Sequence, residues 1–196
     1  RRNANQDAQE DSTTAIITFT QGGQMRLVDP SGQAEMFVVS SEDFDEHVPE
    51  LAELGLDPVT SPIAWNAFGY MLMAQSTKLK TLLRDDSFIV GIGSIYSDEI
   101  LFQAGLRYDR KSNDLSAQEI RRLYRAVVEV MHDAIKYRGT SLEDGTYVDV
   151  FGQPGIYQDH LSVYGKHGQL SPRSRRPIVR TKFAKEWTYF CDQSQV

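Results

Sequence analysis

The residue types whose spacing suits chemistry gather first in Ile89-Val90-Gly91-Ile92-Gly93-Ser94-Ile95-Tyr96. Two glycines ahead of a hydroxyl and an apolar-periodic run leave backbone N–H groups exposed at a helix start, and those groups, with the helix dipole, hold phosphate. Ser94 is placed to cap that helix. Without a strand before it or a Lys-Ser/Thr after it, the glycine pair is a weak nucleotide loop; alone, it fits an ordinary connection between two helices better. The single cysteine, Cys191, cannot close an intrachain disulfide or make a thiolate zinc site by itself, and reads as a small packed side chain. The acidic run Glu42-Asp43-Phe44-Asp45-Glu46 lacks the glycine and spacing of a calcium loop and reads as a solvated linker. Asp98 and Glu99 fall where a first helical turn would use them to complement the dipole. His47, His132, His160 and His167 are far apart in sequence, which favours surface or capping roles.

These residues need elements to position them. Residues 1–13 are polar and read as a tail. Ala15-Ile16-Ile17-Thr18-Phe19 and Met25-Arg26-Leu27-Val28 around Gly22-Gly23 predict a hairpin, which Met36-Phe37-Val38-Val39 could extend to a meander. So few strands suggest the edge of a larger β unit. From Glu42 to Pro62, four breakers (Pro49, Gly55, Pro58, Pro62) and many acids give a linker. Helical spacing follows over 63–74, 79–83, 95–104 and 116–137. The last has a capping box, Ser116 with Glu119, an apolar stripe from Ile120 to Ile135, and Gly139 as a stop. Runs at Pro177-Ile178-Val179-Arg180 and Trp187-Thr188-Tyr189-Phe190-Cys191 predict a second hairpin. The expected organisation is α+β, with boundaries at 1–46, 47–162 and 163–196.

At 196 residues, 40% hydrophobic and 24% charged, the chain excludes collagen-like, low-complexity and disulfide-stapled classes. No apolar run reaches the length of a membrane span and the start lacks a secretory h-region, so a cytoplasmic monomer with no membrane role is expected, nucleoid-associated if bacterial. The net charge of -6 hides an asymmetry. Residues 1–50 carry three arginines against ten acids, whereas 165–196 carry seven Lys and Arg against two acids. A local basic segment of this kind suits an anionic partner such as nucleic acid.

The stretch Leu79-Lys80 through Gly91-Ile92-Gly93-Ser94-Ile95-Tyr96-Ser97-Asp98-Glu99 resembles the helix-two-turn-helix signature of the formamidopyrimidine-DNA glycosylase and endonuclease VIII family. Further matches come in order: Leu101-Phe102-Gln103-Ala104-Gly105-Leu106, Gly139-Thr140-Ser141-Leu142, Asp149 to Gln158, Leu161-Ser162-Val163-Tyr164-Gly165-Lys166 and Thr188-Tyr189-Phe190-Cys191. Phe19-Thr20 with Met25-Arg26-Leu27-Val28-Asp29-Pro30 is similar to the last strands of that family's N-terminal β-sandwich. The resemblance spans about residues 14–196 and favours the formamidopyrimidine branch. It implies three parts: the edge of the sandwich, a helix-two-turn-helix domain, and a C-terminal hairpin of zinc-finger type.

It also implies base excision repair of oxidised purines by a glycosylase and AP lyase, with a flipped base and an N-terminal proline amine as nucleophile. The chain starts at Arg1, so this chain alone is expected to be inactive, with no catalytic residue of its own. Family DNA contacts carry over to Lys80, to the turn Gly93, Ser94, Ile95 and Tyr96, and to Lys166 and Lys185. Several positions depart from the pattern. Ser31 and Gln33 lie where the family's base-gap wedge is expected, Gln75 replaces a basic residue, Ser94 replaces an Asn, and Glu186 replaces a phosphate-clamping Arg, with Lys185 expected to point the other way on the strand. The four zinc cysteines fall on Ser171, Ser174, Cys191 and Ser194, so a hairpin without metal, and no cofactor, is expected. The partner is then double-stranded DNA, weakly bound. The alternative is a catalytically inactive relative acting as a weak DNA-binding or protein-interaction module.

Overall fold

The computed structural model describes residues 11–196 except 144, 146 and 150, so the polar tail read at 1–13 lies outside the described residues up to residue 10. The chain forms two compact units that divide at Pro49 and Glu50.

In the first unit, a run rich in β-branched Thr and Ile makes β1 (Thr13–Thr18), which pairs antiparallel with β2 (Gln24–Val28), Ile17 opposite Met25. The turn closes with Phe19 N to Gly23 O at 3.1 Å and needs glycine at Gly22 and Gly23, whose φ values are +88° and +94°. The expected third strand at 36–39 does not form. Asp29 accepts from Ser31 N and Oγ and from Ala34 N, which coils the chain just after β2, and Val38 is left 98% exposed. The stretch read as a linker instead carries two single-turn helices, α1 (Phe44–His47) and α2 (Pro49–Ala52).

The second unit is built on α3 (Trp65–Met73), α4 (Leu79–Leu83), α5 (Ser94–Ala104) and α6 (Ala117–Lys136). α6 starts at the expected capping box, with Glu119 N to Ser116 Oγ at 3.3 Å and Ser116 N to Glu119 Oε2 at 2.8 Å. It buries Ile120, Leu123, Val127, Val130, Met131 and Ala134 at helical spacing and ends where Gly139, at φ +81°, donates back to Ala134 O at 2.8 Å. α3 and α5 cover that stripe, with Phe68, Leu72, Ile100 and Leu101 fully buried between them.

The chain ends in an antiparallel hairpin, β3 (Val179–Phe183) and β4 (Glu186–Phe190). Its two-residue turn, Ala184-Lys185, has φ of +48° and +70°, the primed twist that lets strands stay paired. Lys185 is therefore a turn residue, not the strand residue the sequence suggested. The hairpin, expected as a separate segment 163–196, packs in the same compact unit as the helices, with Phe102, Val163, Ile178 and Cys191 forming a second small core.

Candidate nucleic-acid interface

The turn between α4 and α5 is fixed from outside itself. Leu56 N donates to Phe88 O and Val90 N to Leu56 O, both at 3.0 Å, so a short bridge from the preceding segment braces the turn. Gly55 permits this approach, because a Cβ there would lie 2.3 Å from the Phe88 carbonyl carbon. α5 then begins with Gly93 as its N-cap. Ser94, expected as the cap, is the first helical residue and makes no capping bond; its hydroxyl donates to the Glu186 carboxylate. That carboxylate also accepts from Arg84 Nη2 at 2.9 Å. Two positions 92 residues apart in the sequence, Ser94 and Glu186, thus meet at one point beside the end of α4.

Lys80 does not reach that point. Expected to face phosphate, it is fully buried: its Nζ donates to Asp98 Oδ1 at 2.5 Å and to Thr188 Oγ1 at 2.7 Å. Asp98 further accepts from Thr188 Oγ1 at 2.5 Å and Tyr189 N at 2.9 Å. Burial pushes the Lys80 ammonium down and the Asp98 carboxyl up, each opposed by its partner. This cluster fastens β4 to α4 and α5. Asp98 and Glu99, expected in the first turn, lie past it and are both buried within α5. Glu99 accepts backbone N–H groups of Ser162, Val163 and Tyr164 at 2.7, 2.9 and 2.9 Å, which nails the loop before the hairpin onto the helix. Burial pushes its carboxyl up, against those three donors.

The remaining candidates scatter. Ile95 and Tyr96 line a cavity of about 590 Å³ with Met131, Thr140, Leu142 and Tyr147, and Tyr96 Oη lies 3.0 Å from Thr140 Oγ1. Lys166 is half-buried and its amine bonds Leu161 O. Lys185 is exposed. Gln75 is exposed and its carbonyl accepts Ser112 Oγ at 2.6 Å. Ser31 Oγ is held by Asp29 at 2.6 Å in the other unit, where Gln33 is exposed. Ser171, Ser174 and Ser194 converge on Cys191: Ser174 Oγ lies 3.0 Å and Ser194 Oγ 3.5 Å from its Sγ. Burial pushes the thiol up, but the three hydroxyls outweigh it and bring it down to about 7. Among the described residues no three His, Cys, Asp or Glu side chains converge as a metal group.

Arg84 is the residue that sequence reasoning missed. The signal was there, since Lys80 and Arg84 are four apart and share a side of one helical turn. On the hairpin, Arg180 and Lys182 lie 4.3 and 4.2 Å from the Trp187 ring and present a basic, aromatic face.

Comparison with known proteins fits this geometry. Residues 54–146 match the family model described as formamidopyrimidine-DNA glycosylase H2TH domain. The chain is 34% identical to the formamidopyrimidine-DNA glycosylase of Desulforamulus reducens over 95% of its own length and 66% of that protein. It is 36% identical to that of Thermus thermophilus over 93% of its length and 68% of the relative. It therefore spans about two thirds of the length of these relatives. The crystal structure of the Thermus thermophilus MutM (Fpg) protein superposes with a TM-score of 0.85 at 34% identity, covering 96% of this chain and 70% of that one. The Lactococcus lactis Fpg in complex with abasic-site DNA gives 0.83 at 26%, covering 97% and 68%. With identity above 30% across more than two thirds of a relative, this chain belongs to the formamidopyrimidine-DNA glycosylase family.

Proposed function

We propose that the chain carries the DNA-binding part of a formamidopyrimidine-type glycosylase and AP lyase acting on oxidised purines in base excision repair. The observation that carries this reading is the α4-turn-α5 unit with a basic hairpin clamped against it through Lys80, Asp98 and Thr188. That junction aligns the α5 start, Gly93 to Tyr96, with the exposed cations of the hairpin, so that one phosphate backbone can meet both. Ile95 and Tyr96 also open onto the cavity of about 590 Å³, roomy enough for a base turned out of the stack. Gly93, Ser94, Ile95, Tyr96 and Lys185 are the contacts in this reading. Lys80 serves as a buried fastener and Lys166 as a brace for its own loop.

The first unit is the edge of a β-sandwich in the same reading, and β3-β4 is a finger hairpin without zinc. One thiol and three hydroxyls are a poor donor set for Zn²⁺, since serine stays protonated at neutral pH. Apolar packing by Phe102, Val163 and Ile178 holds the finger instead.

A second reading, an inactive relative that binds DNA weakly, is favoured by the Ser94-Glu186 contact, which puts an anion where phosphate would sit. Fluorescence anisotropy with plain, abasic-site and 8-oxoguanine duplexes separates the two. Tighter binding to either lesion supports the glycosylase reading, equal binding supports the second, and no binding of any duplex at low salt rejects both.

A further inference from the structure

Glu186 does more than repel. Its two carboxylate oxygens are each taken, Oε1 by the Arg84 guanidinium at 2.9 Å and Oε2 by the Ser94 hydroxyl. A guanidinium and a hydroxyl that bracket one small anion are the donors that two non-bridging phosphate oxygens would use. The arrangement lies at the surface: the Arg84 side chain is 26% exposed and that of Glu186 47%. An exposed pair of this kind adds little stability, so opening it costs little. The next cation, Lys80, is fully buried and held by Asp98, so it leaves the seat to Arg84. Glu186 is the first residue of β4, directly after the Ala184-Lys185 turn, where its side chain can swing outward without disturbing the ladder.

We propose that Arg84 and Ser94 form the phosphate-binding seat of this interface and that Glu186 is its internal occupant, a carboxylate that has to leave before a phosphate enters. This rests on the DNA-binding reading above and adds to it a binding residue, Arg84, and a residue that sets the affinity, Glu186. Simple long-range repulsion by Glu186 would be relieved to the same extent whatever stands at position 84. Occupancy makes the relief depend on Arg84.

The test uses the full chain with E186Q, R84A and the double variant, each checked by circular dichroism and thermal melting, with binding to plain duplex DNA followed by anisotropy at low salt. E186Q is expected to tighten binding by about tenfold, the scale of one charge-assisted hydrogen bond. R84A alone should weaken it by about twofold or more, because a seat cation is lost and the Glu186 carboxylate is left unpaired, and in the R84A background E186Q should gain less than about threefold. An unchanged affinity for E186Q, or an equal gain with and without Arg84, overturns the proposal. Inorganic phosphate serves as a second probe: it should raise the melting temperature of E186Q more than that of the unaltered chain or the double variant. If phosphate does so while no variant binds duplex DNA, the seat stands and the DNA reading falls. If neither probe distinguishes E186Q, the seat falls.

Discussion

Lys80 and Asp98 bring a charge each into a low-dielectric interior, and the directions of their shifts show that burial disfavours both charged forms. The pair is worth less than its 2.5 Å contact suggests, but either member alone would be a buried, unmatched charge. Lys80→Met or Asp98→Asn singly is therefore expected to cost about 3 to 5 kcal/mol, while the two together recover at least half of that, measured by urea denaturation. Additive losses would show that the pair does not act as a unit. Cys191 gives a pH signature. Its thiol is brought below its ordinary value, to about 7, so the folded state loses its proton before the unfolded state does. Stability should then rise with pH from about 7 to 9 and be lost as pH falls through 7, and Cys191→Ser should flatten that slope. Thiolate absorbance with its midpoint near 9 would contradict this. Neither role was legible in the sequence. A lysine in a phosphate-binding signature looks exposed, and only the 108-residue contact to Thr188 makes it internal.

Elements with local signals were the legible ones. The capping box and the apolar stripe fixed α6 to within a residue at either end, because both are written in neighbouring side chains. α5 is found by spacing but its acids are misread, since Asp98 meets Lys80 of another helix together with Thr188 and Tyr189, and Glu99 meets residues 162–164, the strand and loop partners lying more than sixty residues away. This difference predicts unequal costs. Ser116→Ala removes one cap bond of an otherwise well-packed helix and should cost about 1 kcal/mol. Glu99→Ala removes the acceptor of three backbone N–H groups, two of them at the half-buried Ser162 and Tyr164 and one at the buried Val163, and should cost about 3 kcal/mol or more. Chemical denaturation of both variants settles the ranking, and amide exchange at 162–164 should accelerate only in the second. The strand expected at 36–39, which does not form, has the same lesson from the other side: an apolar run is present, but the Asp29 turn ahead of it sets the chain off the β2 edge.

Over the whole molecule the charge is what matters for a polyanion, and it is divided: acids crowd residues 1–50 while Arg and Lys crowd 165–196. The sequence disclosed that division and the family, but not that several of the cations are already engaged. Arg173 donates to the Phe102 and Gln103 carbonyls, Lys166 to its own loop, and Arg84 to Glu186, so fewer charges are free for phosphate than the count implies. Binding to duplex DNA should then be of the non-specific kind, about micromolar or weaker at physiological salt, with log affinity falling steeply against log salt. The slope counts the phosphates neutralised. Glu186→Arg withdraws an anion, frees Arg84 and adds a cation, so it should steepen that slope by about one to two as well as tighten binding at low salt by about 1 to 3 kcal/mol. Tighter binding with an unchanged slope would mean that the new side chain contacts something other than a phosphate, and that the hairpin tip does not lie along the backbone of the duplex.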